Sequence, residues 1–231
     1  MVKDELIARS PVRTFEKSIG GGLQAGETGL ISSPSGIGKT SVLVQIALDY
    51  LLRDKKVIHV SFTKHADYVT SWYENIFAEF IKKKNLEGER DVKDEIVKNR
   101  VQMNFNQDGQ SVEMILRSLR AMIKDGGFAA EALIVDGMDF SRIGDGQLGQ
   151  IKAFAQEVGL TVWYSCTVSA PNAYDKHGIP NVIAGYLDCI DAVIVLQPFP
   201  DHIELSVVKD RSVFCPAVQP LKLDPKTLLM K

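Results

Sequence analysis

The sequence has little cysteine. Its three cysteines, Cys166, Cys189 and Cys215, form no CxxC pair and have no clustered histidine. That scarcity excludes a disulfide framework and a cysteine-based metal centre, and the three read as reduced thiols packed in the core. There is no run of about 18 apolar residues. The opening Met1-Val2-Lys3-Asp4-Glu5 places acid at once, with no long apolar stretch before a cleavage site. Neither a membrane span nor an export signal is expected, and the expected compartment is the cytoplasm.

A large excess of one charge is missing too: 27 Lys and Arg stand against 29 Asp and Glu, for a formal net charge of −2. Such a chain lacks the basic field of a non-specific nucleic-acid binder, so DNA contact would need a local patch. No repeat with a period of about 20 to 50 residues, no low-complexity tract and no linker between two cores is found. With 231 residues, 45% of them hydrophobic and 24% charged, the chain 1–231 is expected to fold as one soluble domain.

What is present is alternation. Short apolar, β-rich runs at Thr28–Ser32, Val57–Phe62, Val101–Phe105, Leu133–Asp136, Thr161–Cys166 and Ala192–Leu196 are separated by segments of helical period. Those segments, Ser41–Leu52, Tyr68–Lys82, Val112–Ile123 and Gly149–Val158, repeat apolar residues at three- and four-residue spacing. The pattern predicts βαβ units, hence an α/β fold with a mostly parallel central sheet flanked by helices. After the turn Pro198-Phe199-Pro200-Asp201, the runs Ile203–Val208 and Val218–Leu223 need no helix between them and predict antiparallel C-terminal strands. The charged stretch Lys82–Lys98 reads as an exposed helical elbow or loop. Trp72, Tyr73, Phe77 and Phe80 recur at helical spacing and read as core, as does Trp163 in its strand. His59 reads as a satisfied core histidine, and His65, His177 and His202 have no partner pattern that gives them a role.

The strongest chemical signal is Ser33-Pro34-Ser35-Gly36-Ile37-Gly38-Lys39-Thr40, which follows a strand and opens a helix. A nucleotide phosphate needs inward backbone N–H groups unobstructed by Cβ atoms, the positive end of a helix and one long cation. Ser35, Gly36, Ile37, Gly38, Lys39, Thr40 and Ser41 answer that need. Lys39 is placed to reach the β- and γ-phosphates, and the Thr40 hydroxyl to meet Mg²⁺. Ser33 stands where the motif usually begins with glycine and can still turn if its dihedrals are ordinary. Asp136, ending the apolar run Leu133–Asp136, is the expected second Mg²⁺ partner, with Asp139 as a weaker alternative or a helix cap. No Asn-Lys-x-Asp segment for reading guanine occurs, which favours ATP over GTP.

Upstream of that loop stands Gly20-Gly21-Gly22-Leu23-Gln24-Ala25-Gly26. Together with Ser33–Thr40, Val57–Lys64, Leu133–Asp136, Thr161–Val168 and Val207–Arg211 in that order, it resembles the RecA/KaiC-like and DnaB-like ATPase domains over most of the chain. The resemblance implies a RecA-like P-loop fold, ATP and Mg²⁺ as cofactors, and a homo-oligomeric ring or filament, or one built with related subunits. It also implies that Lys209 and Arg211 of Lys209-Asp210-Arg211 reach the γ-phosphate of the next subunit, with Arg211 as a finger in trans. Without the resemblance, Lys-Asp-Arg reads as a charged hairpin turn.

The sequence departs from that family at Thr63 and Lys64, where relatives carry one or two glutamates that orient the attacking water. Neither residue is a carboxylate base at neutral pH. Asp67 would replace them only if its turn bends back toward the nucleotide. Thr167 stands at the position of the polar γ-phosphate sensor. The expectation is therefore an ATP-binding protein with weak or absent hydrolysis, acting as a nucleotide-dependent regulatory or assembly factor. A DNA-binding recombinase- or helicase-like ATPase is the second reading, with Arg142, Tyr174, Lys176 and His177 as its only loop contacts, and an inactive scaffold is the third.

Overall fold

The computed structural model describes residues 2–8, 10–62, 67–84, 89–105, 111–169, 173–216 and 220–231. The short helices α1 (Val2–Ala8) and α2 (Val12–Ser18) precede β1 (Thr28–Ser33) and α3 (Lys39–Leu52). Then come β2 (Lys56–Ser61), α4 (Asp67–Lys84), α5 (Glu89–Lys98), β3 (Arg100–Asn104), α6 (Val112–Arg120) and β4 (Ala130–Asp136). The chain continues with α7 (Gln147–Val158), β5 (Thr161–Thr167), β6 (Ala192–Pro198), β7 (Ile203–Asp210), β8 (Val213–Phe214) and β9 (Leu221–Leu223).

The strands form one sheet in the order β3-β2-β4-β5-β1-β6-β7-β8, with β9 also paired to β7. From β3 to β6 every pairing is parallel, whereas β7 runs antiparallel to β6, and β8 and β9 antiparallel to β7. The α/β class, the parallel centre and the antiparallel C-terminal strands agree with the sequence expectation. Part of the run Val218–Leu223 lies outside the described residues. The central strands are apolar because both faces are covered, as parallel sheets require. One face packs α1 to α5 around Ile31, Val57, Ile134 and Trp163, and the other packs α6 and α7 around Leu30, Val60, Val135 and Tyr164.

Sequence and structure differ in the charged stretch before β3. Glu89–Lys98 is a helix whose Val92 and Ile96 are buried, so two apolar residues four apart suffice to dock it. The helix α6 runs on into a π-helical turn, Ala121–Asp125, which has no buried residue. Among the described residues no helix is long and apolar enough to cross a membrane.

Because the six parallel strands point the same way, Ser33, Asp136 and Thr167 come out together at one rim of the sheet. The antiparallel β7 carries Lys209, Asp210 and the following Arg211 to the opposite rim.

Candidate functional site

The loop between β1 and α3 is shaped by two glycines with left-handed backbone, Gly36 at φ 80° and Gly38 at φ 113°. Nothing lies within 4 Å of where a Gly36 Cβ would stand, so conformation and not crowding sets the need for glycine there. Ser33 ends β1 in extended backbone, so the serine at the usual glycine position costs no left-handed strain. The loop delivers the chain into the 14-residue helix α3, whose first turn has free backbone N–H groups and the positive end of the helix dipole.

Lys39 is 8% exposed and folds back onto the loop that precedes it. Its Nζ donates to Ser33 O at 3.1 Å, Ser33 Oγ at 3.3 Å and Pro34 O at 2.9 Å. Burial lowers its pKa from the ordinary lysine value, and the nearby carboxylate of Asp136 works against that shift. All three partners are neutral oxygens, so the ammonium has no ion pair of its own among these bonds.

Across the intervening strand β5, the Thr40 hydroxyl donates to Asp136 Oδ2 at 2.9 Å. The other carboxylate oxygen accepts from Ser165 Oγ at 2.6 Å, and Ser165 Oγ in turn accepts from Gly137 N at 2.7 Å. Ser165 was not singled out from the sequence. Its signal is alternation: Trp163, Ser165 and Thr167 share the β5 face that Asp136 shares on β4, and a small hydroxyl at the middle position reaches the carboxylate.

These residues line a cavity of about 280 Å³ together with Ser35, Gly137, Thr167, Tyr68, Trp72 and Leu228. Ser35, Gly36, Gly38, Lys39, Thr40, Asp136 and Thr167 are thus brought together around one cavity. Ile37 is half-buried and packs against the core instead. Ser41 turns its hydroxyl to Leu228 O at 2.8 Å. Asp139 caps the turn Phe140–Arg142, its Oδ1 accepting from Ser141 N at 3.0 Å, as its alternative reading had it. Thr63 and Lys64, with His65, lie outside the described residues. Asp67 opens α4 and does not line the cavity.

Three expectations about packing need correction. Trp72 is half-buried and lines the cavity beside Tyr68 at a ring separation of 6.2 Å, although Tyr73, Phe77 and Phe80 are buried as expected. A helix over a sheet edge leaves the rings of its first turns at the rim. Cys166 is buried but Cys215 is exposed, in the turn beyond the two-residue strand β8, where no second layer covers it. His59 is fully buried and only half satisfied: Nδ1 meets Tyr73 OH at 3.1 Å, while Nε2 has no partner. Burial lowers its pKa to about 4, against the raising effect of Asp136.

Lys209 and Arg211 are not brought to the cavity. Lys209 is buried, with Nζ bonded to Ile190 O. Arg211 forks onto Glu27 at 2.9 and 2.8 Å, donates to Gly22 O at 3.0 Å and to Ile19 O at 3.3 Å, and pairs with Asp210 at 2.6 Å. Its guanidinium lies where a Gly20 Cβ would stand only 3.0 Å away, so the run Gly20-Gly21-Gly22, at φ 61°, 98° and 94°, is the bed for this arginine. A role on a neighbouring subunit's phosphate would require breaking these bonds first.

The donor set fits a magnesium ion held jointly with a ligand's oxygens. Thr40 and Asp136 supply one hydroxyl and one carboxylate, the kind of partial shell Mg²⁺ takes when phosphates supply the rest. Among the described residues no group of three or more His, Cys, Asp or Glu could hold a metal by itself. No protein-family model matches the chain, and no curated protein matches it.

Proposed function

We propose that this chain is an ATP-binding protein of RecA/KaiC-like, P-loop type that hydrolyses ATP weakly or not at all and acts through nucleotide occupancy as a regulatory or assembly factor. The observation that carries the reading is the convergence of Lys39, Thr40 and Asp136 on one cavity behind a loop with two left-handed glycines.

The residues divide the work. Backbone N–H groups from Gly36 to Thr40 face the phosphates at the positive end of α3. Lys39 exchanges the neutral oxygens of Ser33 and Pro34 for charged phosphate oxygens, and hydrogen bonds to charged acceptors are the stronger ones. Thr40 and Asp136 would hold Mg²⁺, and Ser165 keeps the Asp136 carboxylate turned toward Thr40. When bound, the ion supplies positive charge to the phosphate oxygens. Thr167, exposed at the end of β5, is placed to sense the terminal phosphate.

Weak turnover follows from the carboxylates. Asp136 is the one carboxylate lining the cavity among the described residues, and both its oxygens are engaged. The sequence carries Thr63 and Lys64 where a water-orienting glutamate is usual, and losing a general base costs a factor of about 10² to 10⁴ in rate. Arg211, held within its own chain, gives no support to a finger in trans, so occupancy and not hydrolysis across an interface is the step on which this reading rests.

The test is calorimetric titration with Mg·ATP beside steady-state hydrolysis with and without single-stranded DNA, with Lys39→Ala as the control. Binding that vanishes in the variant, together with negligible turnover, is the expected result. DNA-stimulated turnover would replace this reading with the motor, and no binding by the unmodified protein would leave a scaffold.

A further inference from the structure

Resting on the nucleotide reading above, we infer that Leu228, at the tip of the C-terminal strap, forms the wall against which the nucleoside half of the nucleotide packs, by apolar contact alone.

The strap begins in β9, turns at Asp224–Leu228 and returns so that Leu223 bridges Met230. It is fastened to α3 from the inside. Gln45, with no exposed surface, donates through Nε2 to Leu228 O at 2.8 Å and accepts through Oε1 from Met230 N at 2.8 Å. The Ser41 hydroxyl donates to the same Leu228 O. The turn is closed by Asp224, whose Oδ1 accepts from Lys226 N at 2.9 Å and whose Oδ2 meets Lys231 Nζ at 2.9 Å.

This fastening holds Leu228 at φ 56°, a conformation in which a leucine is a genuine outlier. Strain of this kind persists only where the surroundings over-determine it, and here the surroundings aim the residue into the cavity. Leu228 Cδ2 lies 3.6 Å from where a Gly38 Cβ would stand.

Topology says which part of a nucleotide it would meet. Asp136 lies at the end of β4, two strands from β1 on one side, while the strap hangs from β7, two strands from β1 on the other. Phosphates gripped between Lys39, Thr40 and Asp136 leave the nucleoside to extend toward Ser41 and the strap. The side chain it meets there has no donor or acceptor, so contact is through shape and apolar surface.

The experiment is Leu228→Gly, which removes the wall, keeps the carbonyl that Gln45 and Ser41 hold, and relieves the left-handed strain. Titrate Mg·ATP and Mg·tripolyphosphate into both proteins, and melt both. The expected result is ATP affinity lower by about tenfold, the scale of one lost apolar contact, with tripolyphosphate affinity unchanged and a single cooperative melting transition that shows the variant folds. Unchanged ATP affinity, or equal weakening of both ligands, overturns the inference. So does an unmodified protein that binds the two ligands equally well, although the phosphate site itself would then stand. If the unmodified protein binds neither, the nucleotide reading falls as well.

Discussion

The two rims of the sheet use the same kinds of residue in opposite ways. At the rim where the parallel strands end, the cation Lys39 rests on two backbone carbonyls and a hydroxyl, all neutral, beside a cavity. At the other rim, Arg211 is locked bidentately onto Glu27, and Lys152 sits on Asp191 at 2.9 Å from both oxygens, while Asp191 also accepts from Thr28 N. The first cation can trade its partners for a better acceptor, whereas the second would lose charge-assisted bonds by moving. A Lys or Arg in a loop therefore says little about function until its resting partners are known.

The sharpest way to break this contrast is Lys39→Ala, which should lower Mg·ATP affinity by about a hundredfold or more while changing the melting temperature less than Arg211→Ala does. Calorimetry and thermal melting on the same preparations check both halves. Arg211→Ala is the mirror image: it should cost about 1.5 to 3 kcal/mol of stability, the range for hydrogen bonds to charged groups, and leave ATP affinity of the isolated chain nearly unchanged. If it abolishes ATP binding without destabilising the fold, the division between rims is wrong. Ser165→Ala frees one Asp136 oxygen and should weaken Mg²⁺-dependent ATP affinity about tenfold, the lower end for a residue that orients a metal ligand. Titrating Mg²⁺ at fixed ATP isolates this effect.

A pH dependence belongs to neither rim. His59 stays neutral in the fold down to about pH 4, whereas in the unfolded chain it takes up a proton near 6.5. The unfolded state thus binds more protons between those values, so the His59 contribution to stability is full above about pH 6.5 and declines as pH falls toward 4. Denaturation midpoints measured across that window should fall on acidification, and His59→Gln should flatten the curve.

Much of the fold is legible in the sequence because the central strands are buried on both faces and therefore read as apolar runs; β1, β2 and β5 match to within a residue or two at each end. The helices α1 and α2, at seven residues each, are too short to show a period, and α5 hides behind its charge. At the site, the loop, Lys39, Thr40 and Asp136 are legible because their chemistry depends on local spacing. Ser165, Gln45 and Leu228 are not, since each matters only through a partner 29 to 185 residues away. Arg211 shows the converse: a motif legible by position whose partners, Glu27 and the glycine turn, lie 184 and 189 residues upstream.

The clamp on Gln45 also sets an order of assembly. During synthesis from the N-terminus, residue 45 leaves the ribosome long before Leu228 and Met230, its partners 183 and 185 positions later. Until they emerge, the Gln45 amide keeps only its bonds to Ser41 within helix α3, and its side of the helix stays open to water. The nascent chain can pair its early strands, but the wall beside the glycine loop is among the last parts to close. A chain released short of residue 228 would keep most of its sheet and lack that wall, and Leu223, buried in the full chain, would lose its bridge to Met230 and offer the apolar surface that quality control reads.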